Sequence, residues 1–270
     1  MSAPPMPLTA ARHGLTWLGG QVVDGGVRLL QSAGLTAASL SMALLPGEDG
    51  HRVTVVAVAR RVAAMGFGAL PLTVLFGTTI GLVLGAQLEV IVPQVGLLDY
   101  WIRTTTELLS QQVAPVLGAI LLASRSGAAL AADLSTMTAA GEVDALRGMG
   151  LSPVRLLIAP AIWGALATTP VLVALMIAAA AATLAIYLNI ELAIPALWVI
   201  AAVMDALTPS VVATALAKGA AFGVLVTALA ASQGLVRHKV PRAVGRNVTS
   251  ALVSGVGAML VANALWTALL

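Results

Sequence analysis

Long runs without a charged residue dominate the hydrophobic pattern of this chain. A helix that crosses the hydrocarbon core of a bilayer needs about 20 mostly apolar residues. A large soluble all-α protein would show polar faces recurring at the helical period, and these runs lack them. A membrane β-barrel would need alternating segments of about ten residues, which the pattern does not contain. The charge-free runs cover residues 62–88, 108–124, 156–190, 206–217, 219–236 and 247–270.

The pattern therefore predicts an all-α integral membrane protein with about five transmembrane helices. Pro195 and Pro209 should break the fourth span, because proline lacks the N–H group that continues a helix. The block 156–190 would be about 50 Å long as one straight helix. Tilt, a kink near Pro170 or an extension beyond the bilayer must absorb the excess length. The predicted spans cover roughly residues 65–90, 107–131, 153–188, 196–234 and 247–270.

A shorter charge-free block precedes the first predicted span. Residues 29–45, LLQSAGLTAASLSMALL, are rich in serine, threonine, alanine and glycine, and Pro46-Gly47 ends the block. We interpret it as an interfacial helix that lies along the membrane, with a sixth span as the alternative. The chain is accordingly divided into an N-terminal tail with this elbow helix, residues 1–61, and a membrane domain, residues 62–270.

The composition agrees with this class and narrows the chemistry. Hydrophobic residues make up 59% of the chain, against roughly 45–50% in soluble domains. The absence of cysteine excludes disulfides, thiolate chemistry and cysteine-based metal sites. The three histidines are scattered, and the sequence contains no GxxxxGK(S/T), HExxH or GxSxG motif. We predict no enzyme activity, no metal site and no cofactor on this chain, so any nucleotide site must belong to a partner.

The distribution of charge predicts the orientation of the chain in the membrane. Basic residues cluster before the first span, within the segment 125–160 and again in 237–246. The connections 89–107 and 189–209 contain a single basic residue, Arg103. Because basic residues concentrate on the cytoplasmic side, we expect a cytoplasmic N-terminus and a C-terminus on the outer side.

The segment 125–160 is a polar island between apolar blocks. The pattern predicts a short re-entrant or surface helix that ends before Pro153, and an ordinary solvated loop is the alternative. A solvated loop needs no row of large apolar side chains beside its charges, whereas the groove of a partner protein would bind both. The apolar residues of the island are Leu134, Met137, Val143, Leu146 and Met149, and the charged residues between them are Asp133, Glu142, Asp144 and Arg147.

Glycines spaced four residues apart indicate close contacts between helices. They are Gly77, Gly81 and Gly85 in the first span, and Gly219 and Gly223 in the fourth. Small residues at this spacing lie on one helix face and let another backbone approach. We favour packing within the chain over a contact between subunits.

Lys218 is interpreted as the one basic residue within a span. An ionisable group inside a bilayer is costly and is by default a functional candidate. The alternatives are that its side chain reaches the inner surface or that it pairs within a dimer.

A series of short motifs follows in a fixed order from the first span to the third. They are Gly81-Leu-Val-Leu-Gly-Ala-Gln87, Pro115-Val-Leu, Ser124-Arg-Ser-Gly-Ala-Ala-Leu-Ala-Ala-Asp133-Leu-Ser-Thr-Met137, Glu142-Val-Asp-Ala-Leu-Arg-Gly-Met-Gly-Leu-Ser-Pro-Val-Arg155 and Pro160. This order resembles that of the MlaE/YrbE permeases, the membrane subunits of ABC transporters that work with MCE proteins. The similarity runs from about Met65 to the end of the chain and is most specific over residues 124–160.

The resemblance implies a homodimeric permease with five spans per subunit, an N-terminal interfacial helix and an MlaE-type permease domain over residues 62–270. It implies a bacterial inner-membrane location, a cytosolic ATPase that would bind ATP and Mg, and an MCE-domain protein on the periplasmic side. The family moves lipids, typically phospholipids, between the inner membrane and the cell envelope. No nucleic-acid partner is expected.

The resemblance also implies roles for individual residues. Asp144 and Arg147 would orient a cytoplasmic coupling helix on the ATPase, and its apolar side chains would fill a groove there. The coupling residues would be Glu142, Val143, Asp144, Ala145, Leu146, Arg147 and Met149. The candidate lipid path comprises Gln87, Glu89, Gln111, Gln112 and Lys218, although Glu89 could equally be a solvated helix end.

Two departures from the family pattern bear on these roles. Gln111-Gln112 stands where family members often have Arg-Glu, and Gly141-Glu142 stands where Glu-Gln is usual. The neutral pair can still donate and accept hydrogen bonds, so we expect a different headgroup preference or a different grip on the headgroup. Two other classes remain as alternatives: a membrane scaffold that transports nothing, and a secondary transporter, which would need paired ionisable groups near the midplane.

Overall fold

The computed structural model describes residues 51–236 and 243–269, and every element within these ranges is helical. The predicted interfacial helix at 29–45 lies outside the described residues. The α-helices are α1 (His51–Val95), α2 (Leu98–Leu108), α3 (Ala114–Leu122), α4 (Ala128–Ala139), α5 (Glu142–Gly148), α6 (Ala159–Leu192), α7 (Ala196–Ala206), α8 (Pro209–Gly234) and α9 (Ala243–Leu269). The described residues also contain three π-helical segments: Leu109–Val113 joins α2 to α3, Ala123–Gly127 joins α3 to α4, and Val154–Ile158 leads into α6.

Within residues 51–236 and 243–269, five helical segments are long and apolar enough to cross a membrane, as predicted for this part of the chain. The predicted breaks are also confirmed, because α7 begins directly after Pro195 and α8 begins at Pro209. The protein is therefore a multi-pass membrane protein. The five spans are Val56–Pro93, Leu98–Ala139, Val154–Leu192, Pro209–Gly234 and Asn247–Leu269.

The second span extends further at its C-terminal end than the sequence predicts. Helix α4 continues to Ala139, whereas the predicted span ends near residue 131. Leu134 is 1% exposed and packs with Met65 and Ile162 in a core formed by several spans. The prediction that Leu134 belongs to a surface helix for a partner is therefore wrong, because the neighbouring spans already bury it. Met137 is half-buried in the same helix.

The glycines of the first span pack against α6 of the same chain. A Cβ atom added to Gly85 would lie 2.6 Å from Cδ1 of Tyr187, and one added to Gly81 would collide with the backbone oxygen of Ala180. Gly77 makes a similar approach one turn earlier. Residue numbers increase together along the two helices, so the first and third spans run parallel. This geometry agrees with the predicted packing within the chain.

The glycines of the fourth span contact the same helix from another side. A Cβ atom added to Gly219 would lie 2.8 Å from Cγ2 of Val173, and one added to Gly223 would lie 2.8 Å from Cβ of Thr169. Here the residue numbers run in opposite senses, so α8 is antiparallel to α6. Helix α6 continues through Pro170 without a break in the helix.

Candidate functional site

Lys218 lies inside the helix bundle and is 1% exposed. Its Nζ atom donates one hydrogen bond to the backbone oxygen of Gln111, at 3.0 Å, and one to Oε1 of Gln112, at 2.9 Å. The ring centroid of Phe222, one turn further along α8, lies 5.9 Å from Nζ, within the range of a cation–π contact. The alternative that Lys218 reaches the inner surface is therefore wrong, because these contacts hold its side chain between the second and fourth spans.

The local sequence explains why the backbone oxygen of Gln111 accepts this bond. In an α-helix that oxygen would accept from the N–H group four residues later, which belongs to Pro115, and proline has no N–H group. The π-helical segment Leu109–Val113 also shifts the backbone pairing of this stretch. The ammonium group of Lys218 supplies the donor that the helix lacks.

The side-chain amide of Gln112 has a defined orientation. A lysine ammonium group only donates hydrogen bonds, so the atom of Gln112 that faces Lys218 must be the oxygen. The same oxygen accepts a hydrogen bond from Oγ1 of Thr267 on α9, at 3.2 Å. Within the described ranges the amide nitrogen makes no hydrogen bond, and it is not among the enclosed polar atoms. Gln112 thus presents two N–H donors at the surface of a single chain.

No carboxylate among the described residues forms an ion pair with Lys218. In the described part of the chain the one ion pair joins Arg147 and Asp144. Lys218 lies 16 residues before Gly234, the last residue of α8, a distance of about 24 Å along the helix axis. With the orientation predicted from the loop charges, the ammonium group lies in the outer half of the membrane. A cation in this environment is costly, so an anionic ligand close to it is favourable.

Three further polar atoms near this cluster are buried without a hydrogen-bond partner in the described ranges. Oγ of Ser110 belongs to the residue before Gln111, and Ser110 is 0% exposed. Oδ1 of Asn263 and Nε1 of Trp266 lie on α9 within one turn of Thr267. Because a buried polar group without a partner destabilises the fold, such atoms are typical of a site that a ligand or a second subunit completes.

The other predicted lipid-path residues, Gln87 and Glu89, lie near the C-terminal end of α1, and Glu89 forms a separate contact there. Oε2 of Glu89 accepts a 2.6 Å hydrogen bond from the hydroxyl group of Tyr187 on α6. Glu89 is half-buried, so the structure does not favour a simple solvated helix end, whereas Gln87 is exposed. The predicted path therefore divides into two places. Sequence reasoning missed Tyr187 and Thr267, and the only signal in the sequence was a polar residue within an apolar run.

The connection between the second and third spans, residues 140–153, is a short charged hairpin around α5. Gly141 and Gly150 bound this helix with φ angles of 77° and 78°, a backbone conformation that glycine adopts without steric cost. Asp144 and Arg147 form an exposed ion pair, with Oδ1 and Nη1 3.4 Å apart. Glu142 and Ala145 are exposed on the same helix.

The apolar residues of this hairpin divide between the chain itself and the surface. Val143 is 3% exposed, so the prediction that it fills a groove on the ATPase is wrong: its side chain packs on its own chain. Leu146 is half-buried, and Met149 is 66% exposed. Leu151, which was not predicted, is 50% exposed. The apolar surface next to the ion pair is therefore formed by Leu146, Met149 and Leu151.

Five spans with a polar site buried between them define a multi-pass α-helical membrane protein. The model of the family Permease MlaE matches residues 58–269. The chain belongs to this family, which confirms the resemblance seen in its motifs.

Curated relatives agree with this assignment. The intermembrane phospholipid transport system permease protein MlaE of Haemophilus influenzae is 31% identical over 166 residues, 60% of either chain. A probable ABC transporter permease protein of Rickettsia prowazekii is 30% identical over 163 residues, 60% of this chain and 62% of the relative. The chloroplastic protein TRIGALACTOSYLDIACYLGLYCEROL 1 of Arabidopsis thaliana is 27% identical over 154 residues, 57% of this chain and 44% of the relative. The matches to these relatives span less than two thirds of their length.

Proposed function

We propose that this chain is the membrane subunit of an ABC transporter that moves phospholipids between the bacterial inner membrane and the cell envelope. The observation that carries the proposal is a buried cation, Lys218, which is held beside the free amide donors of Gln112 and forms no ion pair with any described carboxylate. Two names among the relatives support it, because one is an intermembrane phospholipid transport permease and the other an ABC transporter permease.

The site would hold the phosphate of the lipid headgroup. The amide nitrogen of Gln112 would donate hydrogen bonds to phosphate oxygens, while Lys218 fixes the amide orientation and contributes positive charge. In the low dielectric of the membrane interior this attraction is stronger than in water. The acyl chains would remain among the apolar side chains of the spans.

The proposed assembly contains two copies of this chain, a cytosolic ATPase on each and an MCE-domain protein on the periplasmic side. The ATPase would bind ATP and Mg, because the sequence of this chain shows no nucleotide-binding motif. Binding of ATP would shift the dimer between two states by favouring one of them.

The charged hairpin is the proposed docking site for the ATPase. Its apolar surface, formed by the half-buried Leu146 and the exposed Met149 and Leu151, lies beside the ion pair of Asp144 and Arg147. An apolar contact surrounded by charges is typical of a helix that binds in a groove. The charges would fix the orientation of the contact and the apolar side chains would supply most of its free energy.

We expect the substitution Leu146→Asp to abolish co-purification of the ATPase while the permease remains folded. The reason is that a carboxylate would be buried in the docking contact, whereas it stays partly hydrated in the isolated chain. Pull-down of the tagged permease measures the yield of ATPase per permease, and Leu146→Met, which preserves the apolar volume, is the matched control. An unchanged yield in both Leu146→Asp and Asp144→Lys would remove the docking role from this hairpin.

The proposed orientation predicts which single cysteines a membrane-impermeant thiol reagent can label. The natural sequence contains no cysteine, so Ala140→Cys in the exposed hairpin and Asp99→Cys at the outer end of the second span can be compared directly. Ala140→Cys should react only after the cytoplasmic side is opened, and Asp99→Cys should react in intact cells. The reverse pattern would invert the topology.

The first test of the proposed function is purification of the tagged chain from its native membrane in mild detergent, followed by mass spectrometry of everything bound. An ATPase, an MCE-domain protein and retained phospholipid are the expected result. A folded chain that retains a cytosolic partner but no phospholipid would contradict the transport function and favour a scaffold.

A further inference from the structure

Arg125 lies inside the second span, and not in the cytoplasmic island to which the sequence pattern assigns it. The π-helical segment Ala123–Gly127 carries it, 14 residues before the end of α4 at Ala139, or about 21 Å along the helix axis. Lys218 is therefore not the one basic residue within a span. A depth of this size places the arginine backbone well above the cytoplasmic end of the helix.

The guanidinium group of Arg125 packs over Gly68 on α1. A Cβ atom added to Gly68 would lie 2.6 Å from Nη1 and would overlap Cζ and Nη2. Gly68 therefore provides the space that the guanidinium group occupies. Gly68 lies 12 residues from Val56, the inner end of the first span, so the contact is about 18 Å from that end.

This guanidinium group has no partner in the described ranges. Arg125 is exposed on the surface of the single chain, and none of the described carboxylates forms an ion pair with it. No hydrogen bond from its side chain occurs there either. An arginine in a span without an acidic partner is costly. Its planar group matches the geometry of phosphate, with which it forms two parallel hydrogen bonds.

A cavity of about 690 Å³ lies beside α1, one turn closer than Gly68 to the cytoplasmic end of that helix. Arg60, Arg61 and Ala64 of α1 form one wall of the cavity. Gly68 follows Ala64 one turn further along the same helix. Neither arginine forms an ion pair within the described part of the chain. The remaining lining residues are apolar: Val56, Ala57, Leu156, Leu157 and Pro160.

The position of Arg61 is set by a second glycine. A Cβ atom added to Gly164 on α6 would lie 3.1 Å from Cβ of Arg61, so the aliphatic part of Arg61 packs closely between the first and third spans. Arg61 also lines the cavity. The two glycines thus place cationic groups at two depths along one edge of the first span.

We propose that this groove binds the phosphate of a phospholipid from the cytoplasmic leaflet, with Arg60 and Arg61 at headgroup level and Arg125 deeper in the membrane. The three cations without acidic partners select an anion, and the apolar walls suit the glycerol and acyl part of a lipid better than a free phosphate. The positive-inside orientation places the groove at the inner leaflet. This site lies between other spans than the Lys218 cluster and is independent of it.

The test uses the full chain in its membrane complex and two photoreactive probes with identical diazirine acyl chains, a phosphatidylglycerol and a diacylglycerol without phosphate. The crosslinked peptides are mapped by mass spectrometry. We expect phosphatidylglycerol to label residues 56–64 and 156–160 several-fold more than diacylglycerol. Equal labelling by the two probes, or no labelling of the groove by either, would overturn the proposal.

Two substitutions test the role of Arg125 in different ways: one removes its charge and the other displaces its guanidinium group. Arg125→Gln removes the charge and should lower the phosphatidylglycerol labelling roughly tenfold, the size expected for loss of a hydrogen bond to a charged group. Gly68→Ala keeps the charge but displaces the guanidinium group, and it should lower the labelling in the same direction. The controls are Arg103→Gln, an exposed arginine at the outer end of the second span, and Gly257→Ala, which has open space around it.

If Arg125→Gln and Gly68→Ala retain the labelling of the parent chain, Arg125 does not contact the lipid and the proposal fails. The substitution Lys218→Met separates this site from the proposed transport function. It should leave the labelling of the groove unchanged even where it stops transport. A parallel loss in the groove would show one shared lipid site and would contradict two independent ones.

Discussion

Replacing Gly81 by leucine is expected to prevent the first and third spans from packing, and to leave most of the purified chain aggregated or unfolded. A Cβ atom at this position already collides with the backbone oxygen of Ala180 and lies 2.9 Å from Cβ of Thr183. Overpacking of a dense interior typically costs about 1–3 kcal/mol. The loss should lie at the upper end or beyond, because the colliding atom belongs to a helix backbone and cannot rotate away.

The measurement is the melting temperature of the chain in detergent, together with the monodisperse fraction on size-exclusion chromatography. Gly257→Leu is the matched control, since nothing lies within 4 Å of a Cβ atom added to Gly257 on α9. It should melt within a few degrees of the parent chain. Similar behaviour of the two variants would mean that the close approach of α1 to α6 contributes little to stability.

Replacing Lys218 by methionine is expected to abolish phospholipid transport by the reconstituted complex. The substitution removes the positive charge and releases the Gln112 amide from its fixed orientation. It also leaves the backbone oxygen of Gln111 without a donor, because Pro115 cannot supply one. Each unpaired buried polar group costs about 1–3 kcal/mol, so we also expect a lower melting temperature. ATP-dependent transfer of labelled phospholipid and the amount of phospholipid retained on purification are the readouts.

The substitution Gln112→Glu tests whether the Gln112 amide sets the headgroup preference. Members of the family often have glutamate at this position, and a glutamate would pair with Lys218 and keep the spans together. We therefore expect transport to continue and the melting temperature to stay near that of the parent chain. Because a carboxylate would stand where the amide donated hydrogen bonds, we expect the transfer of anionic phosphatidylglycerol to fall several-fold relative to that of zwitterionic phosphatidylethanolamine. Thr249→Glu adds the same charge near the start of α9 and should leave this ratio unchanged. An unchanged ratio in Gln112→Glu would contradict the headgroup role of the amide.

Polar contacts at the ends of α4, α8 and α9 nearest the hairpin connect it to the helices of this site. Nδ2 of Asn247 on α9 donates a 3.1 Å hydrogen bond to Oγ of Ser135 on α4, and both residues are buried. Oγ of Ser250 donates to Oε1 of Gln233 on α8, at 3.4 Å. Helix α4 leads directly into the hairpin, so a movement of the hairpin would act on the two helices that carry Lys218 and Thr267.

The π-helical segments are the feature that sequence reasoning missed most completely. One carries Gln111 and Gln112, the second carries Arg125 and the third carries Arg155. Such segments occur frequently at functional sites, because the extra residue re-aims side chains and shifts the backbone pairing. The sequence contained one physical signal, Pro115, which removes the N–H donor for the backbone oxygen of Gln111. Nothing comparable marks the segment around Arg125.

Two wrong predictions about apolar residues have the same cause. Leu134 and Val143 were assigned to a partner surface from their place in a polar stretch, yet each is buried by its own chain. The apolar and charged residues that alternate around Leu134 and Val143 form the pattern of an amphipathic surface helix. Burial depends on which other spans lie alongside, and that is not a local property of the sequence.

The sequence by itself determined the class of protein, the five spans within the described residues, the breaks at Pro195 and Pro209 and the faces on which the glycines pack. These features depend on hydrophobicity summed over about 20 neighbouring residues and on local backbone chemistry, both of which are readable along the chain. Only the tertiary structure decided the partner of each polar group. Lys218 donates a hydrogen bond to Gln112, 106 residues away in the sequence, and Tyr187 donates one to Glu89, 98 residues away. The packing of parallel and antiparallel spans sets such contacts, because a buried polar group takes whichever donor or acceptor the neighbouring helix places within reach.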